Sequence, residues 1–280
     1  MFLPAPNSLR VTRGVGSTSG ELWREQRRFA LNTLREFGAG RNIMEDKIHE
    51  EISQFLEAFE TERGQGFDCT RLVQNAVSNV VCSTMLGKRF EYTDPLFVTY
   101  LKAIDKNVAN VEKYFQEIQE NIGQSRRPSM KDKTNLPYVE ATIMEVLRRS
   151  DIAPTALPHT VPHDVQFRGY TFPKGVLVIL MLDSVLQDPD VGGDPENFRP
   201  DRFLDDTGKI VKKEEFIPFS LGRRACLGES MARMELFLFL TTMIQRFKFV
   251  PVDDQMPSLD GIMGVTHSPR PFLMKAIPRV

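Results

Sequence analysis

The chain has 280 residues, 41% of them hydrophobic and 26% charged, which places it among ordinary cored proteins of one large or two small domains and excludes a largely disordered chain. A formal net charge of -1 excludes the basic excess that marks non-specific nucleic-acid binding, so any charged partner must be met by a local patch. Three cysteines, Cys69, Cys82 and Cys226, are too few and scattered for a disulfide framework and point to a reducing compartment. The longest apolar stretch, Val176 to Leu182, is far shorter than the roughly 20 residues that span a bilayer, and the opening MFLPAPNSLRVTRG has no charged-then-apolar signal segment.

In chain order, Leu22, Phe29, Leu31, Leu34 and Phe37 recur at helical spacing from Glu21 to Phe37, with Thr18 and Glu21 spaced as a capping box and Gly38 or Gly40 as the stop. Ile48, Ile52, Phe55, Leu56 and Phe59 form a second amphipathic stripe, closed by Gly64 and Gly66. A third helix carries Leu72, Val73, Ala76, Val77, Val80 and Val81 and stops at Gly87. Helical period returns from Tyr100 to Ile122, with Val108, Val111, Phe115, Ile118 and Ile122 on one side, followed by a polar loop at Pro128. Pro137 starts a helix bearing Val139, Ile143, Val146 and Leu147, which must end before Pro154. Short strands are expected at Val165–Phe167, at Tyr170–Phe172 beyond the Gly169 turn, and over Val176–Leu180. An irregular loop follows from Pro189 to Pro200, then a helix from Leu227 to Arg246 and a loop-rich tail. There is no internal repeat, and the expected fold is mainly α with a minor β-sheet in a single domain.

The segment Phe219-Ser-Leu-Gly-Arg-Arg-Ala-Cys-Leu-Gly228 carries the strongest chemical signal. A cysteine one step ahead of a helix has its thiolate stabilised by the helix N-terminal dipole and free N–H groups. Gly222 and Gly228 remove side chains where a flat cofactor would approach the backbone, and Arg224 can reach an anionic group. The competing reading of Cys226 is a buried inert thiol; for Cys69 and Cys82, on apolar helical faces, core packing is the better account. Glu145 and Arg148 lie three apart on one helix, which alone describes a surface pair worth a few tenths of a kcal/mol.

Together these positions resemble the cytochrome P450 family, microsomal xenobiotic-metabolising type and family 2-like. Phe219, Gly222, Arg224, Cys226 and Gly228 fill F-x-x-G-x-R-x-C-x-G, while Glu145 and Arg148 fill E-x-x-R with Arg202 of Phe198-Arg-Pro-Asp-Arg-Phe203 as third partner. The resemblance implies haem b (iron protoporphyrin IX) with Cys226 as axial iron ligand, and a structural role for Glu145, Arg148 and Arg202. Trp23 and Arg27, as W-x-x-x-R, and His159 in LPHTVPHDV match contacts to the haem propionates. His49 and His163 match nothing and are expected at the surface. Arg24, Arg28 and Arg223 match the proximal face where an acidic flavoprotein reductase docks, although a solvated basic face reads equally well. Ala153–Leu157 and Val265–Ser268 match segments lining the substrate pocket.

The resemblance further implies a monooxygenase inserting one atom of O2 into a small lipophilic substrate. Its electrons come from NADPH through the reductase, with cytochrome b5 as a second partner, at the cytosolic face of the endoplasmic reticulum. Against the family pattern the 1–280 domain is expected to be incomplete, with the start and membrane anchor missing and an internal deletion near 105–111. The deleted segment would carry the long distal helix and its A-G-x-[DE]-T-[TS] acid–alcohol pair, a motif found nowhere in the chain, so no catalytic residue is assigned. Three readings stay open: a monooxygenase, a haem-binding or regulatory fragment without turnover (a splice variant or partial gene product), and a chain that does not fold.

Overall fold

Helix α1 (Gly20–Glu36) buries none of its side chains; Phe29 is 74% exposed. Of its apolar stripe, Leu22 and Phe29 are exposed while Leu31 and Leu34 are half-buried. The computed structural model describes residues 14–36, 38, 42–62, 64–85, 111–253, 261–262, 266 and 268–279. Phe37, the expected stops at Gly40 and Gly87, the part of the fourth expected helix from Tyr100 to residue 110 with Val108, the 105–110 part of the deletion boundary, and Val265 with His267 lie outside them. Thr18 does not form the expected capping box: its hydroxyl donates to the Gly14 carbonyl (3.0 Å) and lies 2.9 Å from the Gln26 side-chain amide.

The core is built around α2 (Asn42–Thr61), whose Met44, Ile48, Ile52, Phe55 and Phe59 repeat at three- and four-residue spacing and are all buried. Phe59 meets Phe55 at 4.6 Å, Phe67 at 5.0 Å and Phe247 at 5.8 Å between ring centroids, at tilted or edge angles favoured by ring quadrupoles. Helix α3 (Thr70–Met85) packs alongside, burying Ala76 and Val80. Cys69 is buried at its start, as core packing requires, whereas Cys82 is only half-buried and stands outside the core. His49, expected at the surface, is only 4% exposed. It falls on the inward stripe of α2, with Nε2 3.8 Å from Glu45, and burial followed by the nearby Arg127 pushes its pKa down.

Helix α4 (Val111–Asn121) adds Tyr114 and Ile118 to the core, with the Tyr114 hydroxyl 3.3 Å from Thr241 Oγ1. A 3₁₀ segment, Met130–Asn135, is capped by Ser129 and leads into α5 (Pro137–Ser150). Pro137 at the start of α5 needs no N–H partner, and the next two N–H groups, of Tyr138 and Val139, donate to the Glu117 carboxylate on α4 at 2.9 and 2.7 Å. The helix ends at Asp151 in the left-handed region (φ 44), three residues before Pro154.

Strands β1 (His159–Thr160), β2 (Val165–Phe167), β3 (Tyr170–Phe172) and β4 (Leu177–Val178) follow, with β2–β3 as the expected hairpin and β1 paired to β4. The stretch expected to be irregular holds two single-turn helices, α6 (Asp183–Leu186) and α7 (Pro189–Gly192), the latter capped by Asp188 on the Asp190 N–H at 2.9 Å. Helix α8 (Glu229–Arg246) threads between α2, α4 and α5, burying Phe237, Leu238, Phe239 and Ile244.

The tail, expected to be loop-rich, instead pairs β5 (Phe247–Pro251) with β8 (Met274–Pro278) over five residue pairs, while β6 (Gly261–Ile262) pairs with β7 (Ser268–Pro269). Phe247 and Ala276 are buried by this pairing, so the chain end closes the core. Among the described residues the fold is mainly α with four two-stranded antiparallel sheets, and no helix is long and apolar enough to cross a membrane.

Glu235 on α8 is buried, its Oε1 has no hydrogen-bond partner among the described residues, and burial pushes its pKa up to about 8. The folded state therefore holds a proton that the unfolded chain releases near pH 4.5, so this group's contribution to stability declines as pH rises from there to about 8. The difference in melting temperature between Glu235→Gln and the parent chain should move in favour of Gln from pH 5 to pH 8.5. A pH-independent difference by calorimetry would show that Glu235 is ionised throughout.

Candidate haem-thiolate site

The cysteine loop is shaped by backbone conformation. Ser220 and Gly222 both have positive φ (63 and 73), and Gly222 opens a 3₁₀ turn, Gly222–Arg224, closed by the Ala225 N–H on the Gly222 carbonyl at 3.1 Å. A Cβ at Gly222 would meet nothing within 4 Å, so glycine is called for there by conformation rather than space. Ser220 accepts the same region without that licence, a strained position beside the site that its residue type does not announce.

The Cys226 N–H donates to the Phe219 carbonyl at 3.0 Å, and the thiol is exposed. Helix α8 starts at Glu229, three residues on rather than one, with Gly228 as its N-cap. A Cβ on Gly228 would stand 3.9 Å from the Cys226 sulfur, an ordinary contact. Arg233, not singled out from the sequence, lies over the rings of Phe219 (5.3 Å) and Phe216 (5.6 Å) and pairs with Glu229 at 2.9 Å, tying the loop to α8. Its only sequence signal is the four-residue spacing from Glu229.

Helix α1 brings Trp23 and Arg27 to this loop. Arg27 Nη2 donates to the Ala225 carbonyl at 3.0 Å, next to the cysteine, and the Arg224 guanidinium lies over the Trp23 ring at 4.0 Å. Arg224 donates to the carbonyls of Thr18 (2.9 Å) and Val15 (3.4 Å). Burial, then the neighbouring Arg27 charge, lowers the Arg224 pKa. Among the described residues neither guanidinium has a carboxylate partner, so two like charges meet on one indole with only neutral acceptors.

His159 sits in β1 opposite Val178; its Nδ1 is buried and has no hydrogen-bond partner among the described residues. Two positions earlier, Leu157 is 67% exposed and 3.6 Å from where a Cβ on Gly16 would stand, which places this loop against the turn that feeds α1. Within Ala153–Leu157, Thr155 bridges to Met181. Arg28 and Arg223 are exposed, and Arg24 forms an exposed pair with Glu21 at 2.6 Å that contributes little. His163 is exposed.

Behind the site, Glu145 is wholly buried, accepts three hydrogen bonds and forms an ion pair with a second guanidinium. Oε1 accepts from Arg148 Nη2 (2.9 Å) and from the Arg199 backbone N–H (2.8 Å); Oε2 lies 2.8 Å from Arg148 Nε and 3.0 Å from Arg202 Nε. Arg148 also donates to the carbonyls of Leu186 (3.0 Å) and Pro195 (2.8 Å), and Arg202, in the 3₁₀ turn Pro200–Phe203, to those of Asp194 (2.9 Å) and Asn197 (3.0 Å). The pair that resembled a surface contact is thus the buried hub of the loop from 186 to 203. Glu145→Ala would strand two buried guanidiniums and should lower unfolding stability by about 3–5 kcal/mol. Denaturant melts check this, and a loss under about 1 kcal/mol would be the surface-pair value instead.

Comparison with known proteins matches the cytochrome P450 family model to residues 7–116 and 110–276. The chain is 32% identical to cytochrome P450 2K4 of Oncorhynchus mykiss over 392 aligned positions covering 99% of this chain and 78% of that protein. It is 33% identical to cytochrome P450 2J1 of Oryctolagus cuniculus (95% and 75% covered) and 33% identical to cytochrome P450 2D27 of Mesocricetus auratus (93% and 75%). The 392 aligned positions exceed the 280 residues of the chain, so more than a hundred positions of the trout protein have no counterpart here. With two matched segments that meet at 110–116 and together take in nearly all of its length, the chain belongs to the cytochrome P450 family of haem-dependent monooxygenases.

Proposed function

We propose that this chain binds haem b through the Cys226 thiolate and carries the proximal half of a monooxygenase acting on a small lipophilic substrate. The observation that supports it best is the exposed Cys226 thiol beside two guanidiniums that lack any carboxylate partner among the described residues. A porphyrin with a soft-ligand iron and two anionic propionates satisfies both features at once. The orphaned His159 Nδ1, and the exposure of Leu157 (67%) and of Leu221 (65%) in the cysteine loop, fit the polar edge and apolar faces of the same group.

In this reading Trp23, Arg27, Arg224 and His159 hold the propionates. Phe219, Gly222 and Gly228 shape the loop, while Glu145, Arg148 and Arg202 anchor the 186–203 segment to the helical core. When bound, haem supplies the activation of dioxygen, with electrons from NADPH through a flavoprotein reductase and with cytochrome b5 as a further donor. Arg24, Arg28 and Arg223 offer the basic docking face. The setting is the cytosolic face of the endoplasmic reticulum membrane, in xenobiotic or lipid metabolism.

The domain is best read as incomplete, with an internal deletion near 105–111 that removes the distal helix. The family match in two segments and the unmatched positions of the relatives support this. No acid–alcohol motif exists in the sequence to deliver protons on the distal side, and a side open to water forfeits the low dielectric that favours catalysis. A haem-binding chain without efficient turnover, from a splice variant or partial gene product, therefore describes this chain better than an active monooxygenase.

The reduced, carbon monoxide-bound protein should show a thiolate-type Soret band that Cys226→Ser abolishes; an unchanged band would assign the iron to another ligand. Supplied with haem, NADPH and a reductase, the 280-residue chain should release most reducing equivalents as superoxide or peroxide rather than product. Product formed per NADPH consumed, compared with a chimera carrying the distal segment of a relative, checks this. Well-coupled hydroxylation by the chain alone would require another residue to deliver protons.

A further inference from the structure

Thr18 is 5% exposed, although Gly16, Ser17, Ser19 and Gly20 around it are all exposed. A threonine turned inward in such a turn needs a reason, and its bonds supply one. Its hydroxyl shares one hydrogen between the two ends of the turn, the Gly14 carbonyl oxygen (3.0 Å) and Gln26 Oε1 on α1 (2.9 Å). Its own carbonyl receives the Arg224 Nη2 at 2.9 Å, and Val15, inside the same turn, receives Nη1 at 3.4 Å. Trp23 floors the guanidinium at 4.0 Å.

We infer that Thr18, with Gln26, is a positioning pair that fixes Arg224 for an anionic ligand group while leaving its charge unspent. The inference rests on the haem reading for the identity of that anion. A carboxylate clamp would hold Arg224 as firmly but would neutralise it. Carbonyl acceptors orient the guanidinium and satisfy its N–H groups without cancelling its field, and the Arg27 guanidinium nearby adds to that field. Freezing a guanidinium beforehand lowers the entropy lost when the ligand arrives. Thr18 touches Arg224 and not the ligand, so it acts through Arg224.

Trp23 is the only tryptophan in the chain, which makes its emission a direct report on the clamp even without haem. In the haem-free full-length chain, Thr18→Val and Gln26→Leu should raise acrylamide quenching of Trp23 and shift its emission, while Thr18→Ser should match the parent. In the haem-loaded chain, Thr18→Val should hasten haem transfer to an acceptor protein by about three- to tenfold, the scale of one buried hydrogen bond. Placed on Arg224→Gln, Thr18→Val should add little to either readout, an interdependence that a merely structural threonine would not show. Unchanged Trp23 quenching in both Thr18→Val and Gln26→Leu, with far-UV dichroism intact, overturns the clamp, as does full additivity with Arg224→Gln. If Thr18→Val does not fold, Gln26→Leu and its combination with Arg224→Gln decide. A parent chain that takes up no haem overturns the haem reading alone, because the Trp23 measurements still decide the clamp.

Discussion

A wholly buried carboxylate is the constraint around which this structure is arranged. A charge inside the protein needs partners, and Glu145 has them in hydrogen bonds from Arg148 and the Arg199 backbone and in an ion pair with Arg202. Each arginine then needs acceptors for its remaining N–H groups, and these are carbonyls of Leu186, Asp194, Pro195 and Asn197. One buried charge thereby dictates the path of a long segment that has little regular structure. That segment enters the cysteine loop through Phe203 and Phe216, whose rings meet at 5.0 Å.

The front of the site follows the opposite rule. Arg27 and Arg224 receive carbonyls and an aromatic face, but no carboxylate among the described residues. Charge is cancelled where the loop must be fixed and left in excess where an anion would be held. A uniform strategy could not serve both ends: neutralising Arg224 would remove its attraction for a ligand, whereas leaving Glu145 without its arginines would strand a buried charge.

Much of this was legible in the sequence because it is local. The α2 stripe declares itself through spacing, and Glu145 with Arg148 or Phe219 with Cys226 lie within a few residues of each other. What escaped depends on distant partners. His49 has the composition of a surface residue, yet its place on the α2 stripe sets it against Arg127 and Pro128. The β5–β8 pairing joins segments 27 positions apart (Phe249 with Ala276), and the Glu117 cap on α5 comes from another helix. Thr18 shows the same limit: its spacing to Glu21 fits a capping box, but the geometry of the turn commits its hydroxyl elsewhere. Periodicity likewise located α1 without telling that Leu22 and Phe29 on its stripe would stay exposed.

That exposure has an energetic consequence. A helix whose apolar side chains are at most half-buried gains less from the hydrophobic effect than a core helix, and propensity alone scarcely holds 17 residues together in water. The polar contacts of α1 with the cysteine loop, Arg27 on Ala225, Arg224 on Trp23 and the Thr18 turn, are therefore a large part of what keeps it docked. They are also the contacts that an anion at Arg27 and Arg224 would reinforce. Loop order, α1 docking and ligand affinity are consequently one linked equilibrium, in which whatever binds the arginines stabilises the helix that presents them.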